Sequence, residues 1–172
     1  MLKQFQKDIS ASAASEFALV IPFMLILLLG VVETSQILMV KRKVTAVAQN
    51  CADLISRETS ITNTELADVV KAVSMIFYPL PTQNLGINIS SIVFDESNNP
   101  SLDWELTESE ITLLGDPVLD DVTGLGEANG SVIVVSVTYK HNLLFPTLFG
   151  SSYNFFERSY AKPRRSAKVT KE

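Results

Sequence analysis

The sequence predicts an α+β fold in which a long N-terminal helix, part membrane anchor and part stalk, carries a second helix and a small antiparallel sheet. Three observations predict it. Residues 17–32 contain no charged side chain and include Leu25-Ile26-Leu27-Leu28-Leu29, which is apolar on every face of a helix. Val44, Val47, Ala48, Cys51, Leu54 and Ile55 then recur at helical spacing. Further on, short runs rich in β-branched and aromatic side chains are separated by turn residues. The 172 residues leave room for one domain of ordinary size beside the hydrophobic segment, with no internal repeat or low-complexity tract.

Extended through residue 40, the hydrophobic run reaches the ~20 residues that cross a bilayer, but it then takes in Glu33, Thr34, Ser35 and Gln36. Lys3 and Lys7 would suit a secretory signal, yet the run is long for one and no small-x-small cleavage site follows it. A membrane anchor is the reading that fits. Pro22 and Gly30 are tolerated in membrane helices, and Pro22 is expected to bend this one. The helix is expected to continue as a stalk over residues 13–58, roughly 65–70 Å at about 1.5 Å per residue.

Glu16 stands at the mouth of this helix. One reading places it in the first turn, capped by Ser12 or Ser15, where a negative charge meets the positive end of the dipole. The other makes it a functional charge at the edge of the bilayer. Orientation is nearly balanced: Lys3 and Lys7 oppose Lys41, Arg42 and Lys43, a one-residue lean toward a cytoplasmic C-terminal domain.

After the stalk, Thr62 and Glu65 form a capping box that opens a second helix. Leu66, Val69, Val70, Val73, Ile76 and Phe77 share one face of it, and Pro79 and Pro81 end it. Strands are expected at residues 87–94, 102–106, 132–140 and 153–160, the first two joined through a turn at Asn98-Asn99-Pro100. Trp104 reads as a packing residue.

Charge excludes some functions. Residues 44–161 hold fifteen acids and four bases, which offers no phosphate-binding face, so the domain is not expected to bind nucleic acid. Residues 162–172 hold five bases and one acid and read as a solvated tail. Cys51, the single cysteine, excludes an intramolecular disulfide and reads as a small packing residue.

The loop over residues 114–130 carries Asp116, Asp120, Asp121 and Glu127 without EF-hand spacing, and reads as a solvated acidic loop. His141 is the only histidine, and the pair Glu108 and Glu110 is weak evidence for acid–base chemistry. No catalytic, cofactor or metal residue is assigned, and the chain is expected not to be an enzyme.

Ser15-Glu16-Phe17-Ala18-Leu19-Val20-x-Pro22, followed by the leucine-rich run, Gly30 and Glu33, resembles the N-terminus of TadE/TadG-like minor pilins. These are pseudopilins of the bacterial tight-adherence (Flp, type IVc) pilus machinery. Phe145-Pro146-x-Leu148-Phe149-Gly150, an aromatic strand, and Tyr160-Ala161-Lys162-Pro163-Arg164 resemble the end of such proteins. The middle, residues 59–130, contributes nothing to the resemblance.

The resemblance implies cleavage by a prepilin peptidase between Ala11 and Ser12, which would make Glu16 the fifth residue of the mature chain. The family pattern has glycine before the cut, where this chain has Ala11. It also implies assembly in the membrane through Glu16, Phe17 and Pro22, with partners among inner-membrane lipids, other pilin-like subunits and the pilus machinery. A cytoplasmic leader and a domain outside the inner membrane follow from the resemblance, against the charge count.

The expected division is a leader-like segment at 1–11, a transmembrane helix at 12–40 and its stalk at 41–58. An extracytoplasmic α+β domain at 59–161 and a basic tail at 162–172 complete it. A signal-anchored binding module, with the N-terminal helix as a simple tether, is the alternative.

Overall fold

The computed structural model describes residues 9–109, 111–113 and 118–172; Lys3, Lys7, Glu110 and Asp116 lie outside the described residues. The first element, α1 (Ile9–Ser56), is a single helix of 48 residues, roughly 72 Å long, and it runs through Pro22. Its side chains are exposed all round from residue 13 to residue 28. From Val40 onward one stripe (Val40, Val44, Val47, Ala48, Cys51, Ala52 and Ile55) is buried. Ser12 and Ser15 are not caps, because the helix is already formed at Ile9 and both lie within it. Glu16 consequently sits about two turns inside the helix, beyond the reach of a first-turn effect.

A two-residue strand, β1 (Ser60–Ile61), leads to α2 (Asn63–Ser74). The capping box forms as its sequence demands: the Glu65 N–H donates to Thr62 Oγ1 at 3.2 Å and the Thr62 N–H donates to Glu65 Oε2 at 2.8 Å. These bonds hold the Glu65 carboxyl below its usual range, the Thr62 backbone N–H contributing most. α2 stops at Ser74, earlier than the prolines require, and a 3₁₀ turn at Met75–Phe77 completes the segment. Lys43 Nζ on α1 donates to the carbonyls of Ile76 and Tyr78 at 2.9 and 2.6 Å, satisfying acceptors that the helix end leaves free.

A second 3₁₀ turn, Thr82–Asn84, enters β2 (Leu85–Phe94), which turns through Asn98 into β3 (Pro100–Ser109). A one-turn helix, α3 (Val118–Asp121), precedes β4 (Ser131–Asn142). Another short helix, α4 (Pro146–Phe149), precedes β5 (Ser152–Ala161), and β6 (Thr170–Lys171) ends the chain. The sheet is antiparallel throughout in the order β3-β2-β4-β5, with a register shift at Ser91/Ile92 against β3. All four expected strands are present, each longer than expected, β3 most of all with ten residues against five.

The sheet face carrying Ile87, Ile89, Ile133, Val135, Val137 and Tyr139 packs on α1 and α2 to form the main core. Cys51 is fully buried there, and burial pushes its thiol up to about 12. Native protein is therefore expected to be inert toward a maleimide at neutral pH and to label stoichiometrically once denatured, read by intact mass. Rapid labelling of the folded chain would contradict this packing.

The other face is not bare. Ile92, Phe94, Val132 and Val134 form a second cluster with Val122, which comes from the acidic loop. That loop is thus not simply solvated: Val122 is fully buried, and a Cβ at Gly126 would run into the Phe94 ring. Asp121 pairs with Arg158, and Glu127 pairs with Lys162 at 2.8 Å.

The basic tail is likewise not a solvated arm. The Arg164 N–H donates to the Ser56 carbonyl at 2.8 Å, at the C-terminal end of α1. Val169 is fully buried, and β6 pairs in parallel with β1, Ser60 opposite Thr170. Trp104 is a packing residue as expected; its Nε1–H donates to the Val169 carbonyl at 2.9 Å.

Candidate functional site: the anchor helix and its two carboxylates

The membrane-competent part of α1 follows from its surface. Phe17, Leu19, Phe23, Leu25, Leu27 and Leu28 are all more than half exposed, and an 18-residue window in this helix reaches a mean hydropathy of 2.4. Water would not stabilise such a surface, whereas lipid would. This is one apolar helix able to act as a membrane anchor.

Three polar residues toward the C-terminal end of this apolar stretch find hydrogen-bond partners. Thr34 Oγ1 donates to the Gly30 carbonyl and Ser35 Oγ to the Val31 carbonyl, both at 2.8 Å, which satisfies each hydroxyl proton within the helix. Glu33 is handled differently. It is only 2% exposed, covered by the β4–β5 connection. The Leu144 N–H donates to both of its oxygens at 3.1 and 3.2 Å, and the Phe145 N–H donates to Oε2 at 3.3 Å.

One turn below, the Phe149 ring lies against Gly30, its Cζ 3.6 Å from where a Cβ would stand. The segment 145–150 and the pair Gly30 and Glu33, drawn from opposite ends of the sequence, therefore form one contact. Sequence reading singled out Glu33 without giving it a partner, because the partner lies 111 residues away.

Ala11 and Ser12 lie within the helical backbone of α1. Glu16, Phe17 and Pro22 are exposed along its apolar half. Glu16 and Glu33 bracket the charge-free segment, roughly 25 Å apart along the axis.

His141 closes β4, buried beside Phe155 with ring centroids 6.5 Å apart, and its Nε2 has no hydrogen-bond partner among the described residues. Glu108 lies in β3, away from His141 on the far side of the sheet from β5. The described residues thus bring no acid–base pair together with the histidine.

Residues 11–53, about a quarter of the chain, match the family model described as TadE-like protein. No curated protein and no solved structure matches the chain. The match spans the exposed apolar half of α1 and nearly all of its buried stripe, so it covers the anchor and stalk as one unit. The N-terminal segment of this chain, residues 11–53, is thus similar to that of TadE-like proteins.

Proposed function

We propose that the chain is a membrane-anchored minor pilin-like subunit that takes part in assembling a Tad/Flp-type pilus or a related secretion apparatus of the bacterial inner membrane. The observation that supports this most is the division of α1. Its first half is exposed and apolar, while its second half is a wall of the domain core. A simple tether needs only the first half. A helix continuous with the core fixes the domain relative to its anchor, as a subunit stacked among neighbours requires.

In this reading the domain lies outside the inner membrane, and a prepilin peptidase cuts between Ala11 and Ser12. The α-amino group freed on Ser12 pairs with Glu16 of a neighbouring subunit. A charge pair in hydrocarbon costs far less than two separate charges, so Glu16 sets the axial stagger between subunits while Phe17 and Pro22 shape the helix contact. The role is structural, not enzymatic.

Glu16→Gln or Glu16→Ala is expected to abolish surface assembly while the protein still accumulates in the membrane, read by shearing assay and membrane immunoblot. Intact mass of the membrane-extracted wild type is expected to begin at Ser12. Normal assembly of the Glu16 variants would sink the proposed role and leave a tethered binding module.

A further inference from the structure

We infer that the β4–β5 connection, residues 143–151, is a second membrane-contact element that rests in the lipid interface beside the point where α1 leaves the bilayer. This rests on the anchor reading of α1. A bilayer core takes about 20 helical residues, so an anchor entering at Phe17 emerges near Gln36. Phe149 lies against Gly30, and Leu144 and Phe145 are bonded to Glu33. The connection is therefore held at the depth of the anchor's last turns.

Its chemistry suits that depth. Residues 142–154 carry no charged side chain, in a domain that is otherwise strongly acidic. Leu144 is 54% exposed and Leu148 is 51% exposed, and Phe149 and Tyr153 are also exposed. At the same level α1 exposes Leu27, Leu28 and Val31, so the connection enlarges an apolar surface that the anchor already presents. Lys41, Arg42 and, on β4, Lys140 follow above it, within reach of lipid phosphates for side chains that extend along the helix and strand.

Glu33 explains how a loop can sit there. Lipid offers no partner to a backbone N–H, and irregular backbone at membrane depth must be satisfied by protein. Here the carboxylate takes the N–H groups of Leu144 and Phe145. The charge is sealed beneath the loop in turn, so neither partner faces hydrocarbon alone. The occupant of the exposed apolar surface is lipid, by continuity with the anchor; a second copy of this chain is the competing occupant.

The test uses the full chain with Cys51→Ala, in nanodiscs of phosphatidylethanolamine and phosphatidylglycerol loaded at one chain per disc. Leu148→Cys, Leu27→Cys and Ser97→Cys each carry an environment-sensitive fluorophore, with spin-labelled lipids as quenchers. Leu148 and Ser97 are both exposed, so neither label disturbs packing.

The label at position 148 is expected to be blue-shifted and quenched at least about twofold more than that at 97, most strongly by a nitroxide near the glycerol. The label at 27 is expected to be quenched most by a nitroxide deeper in the chains. A 148 label that behaves like 97 while 27 is quenched overturns the inference and leaves the anchor intact. Protection of 148 that appears only in discs holding several chains assigns the surface to a second copy and also overturns it. An unquenched label at 27 removes the anchor reading and this inference together.

Discussion

Phe77→Ala is expected to destabilise the domain by about 3–5 kcal/mol, a large share of the total for a domain of this size. Phe77 ends the 3₁₀ turn after α2 and is fully buried. Its ring meets that of Tyr139 on β4, with centroids 4.7 Å apart and planes tilted by 37°. It joins the segment after α2 to the sheet, and Lys43 of α1 bonds the carbonyls of Ile76 and Tyr78 on either side of it.

Truncation removes the transferred area, leaves a ring-sized cavity and takes away the aromatic contact, itself worth about 1 kcal/mol. Urea unfolding of the full chain in detergent, followed by Trp104 fluorescence, is expected to show a large drop in midpoint for Phe77→Ala and a small one for Phe77→Leu. Equal small drops for both would mean that the site collapses to fill the space.

Truncating the chain after Pro163 is expected to cost about 3–5 kcal/mol, from loss of Val169 burial and several backbone hydrogen bonds. The lost bonds include that of Arg164 N–H to Ser56 and that of the Thr170 N–H to the Thr59 carbonyl at 3.2 Å. Trp104 loses the acceptor for its Nε1–H and the covering Lys171 ammonium, 5.9 Å from its ring centroid. Its emission is expected to shift to the red in the truncated protein.

The charges themselves contribute little. Arg164 with Asp53 and Lys168 with Asp103 are surface pairs, and such pairs are each worth about 0–1 kcal/mol. Replacing Arg164 and Lys168 by Ala is therefore expected to leave the urea midpoint nearly unchanged, because the Arg164 backbone N–H is kept. A loss as large as that from truncation would overturn the argument that burial, not charge, holds the tail.

The contrast between these two regions shows which parts of the fold were legible in the sequence. Thr62 and Glu65 signal their helix start because both partners of the capping box lie within one turn of chain. The stripe from Val44 to Ile55 and the β-branched and aromatic strand runs are legible for the same reason: periodicity and composition are local properties.

The tail's path is nonlocal. A two-residue parallel pairing leaves no pattern, and five bases suggest solvent even though Val169 lies under Trp104. Val122 was hidden in the same way among acids. At the candidate site, the Glu16 segment was visible as an unusual start to an anchor. The contact between Glu33 and residues 144–149 was not, since only folding brings those segments together.

The continuity of α1 has a mechanical consequence. Its buried stripe runs along the helix over residues 40–55, about 22 Å of axis. A pull applied through the anchor acts along that axis, so it loads the helix–sheet contact in shear. Val40, Val44, Val47, Cys51 and Ile55 then bear the tension together, instead of being peeled away one after another. At the far end the Arg164 N–H is bonded to the Ser56 carbonyl, which ties the helix terminus to the tail against that shear. An anchor held in a bilayer would thus pass force to the domain through the whole stripe at once.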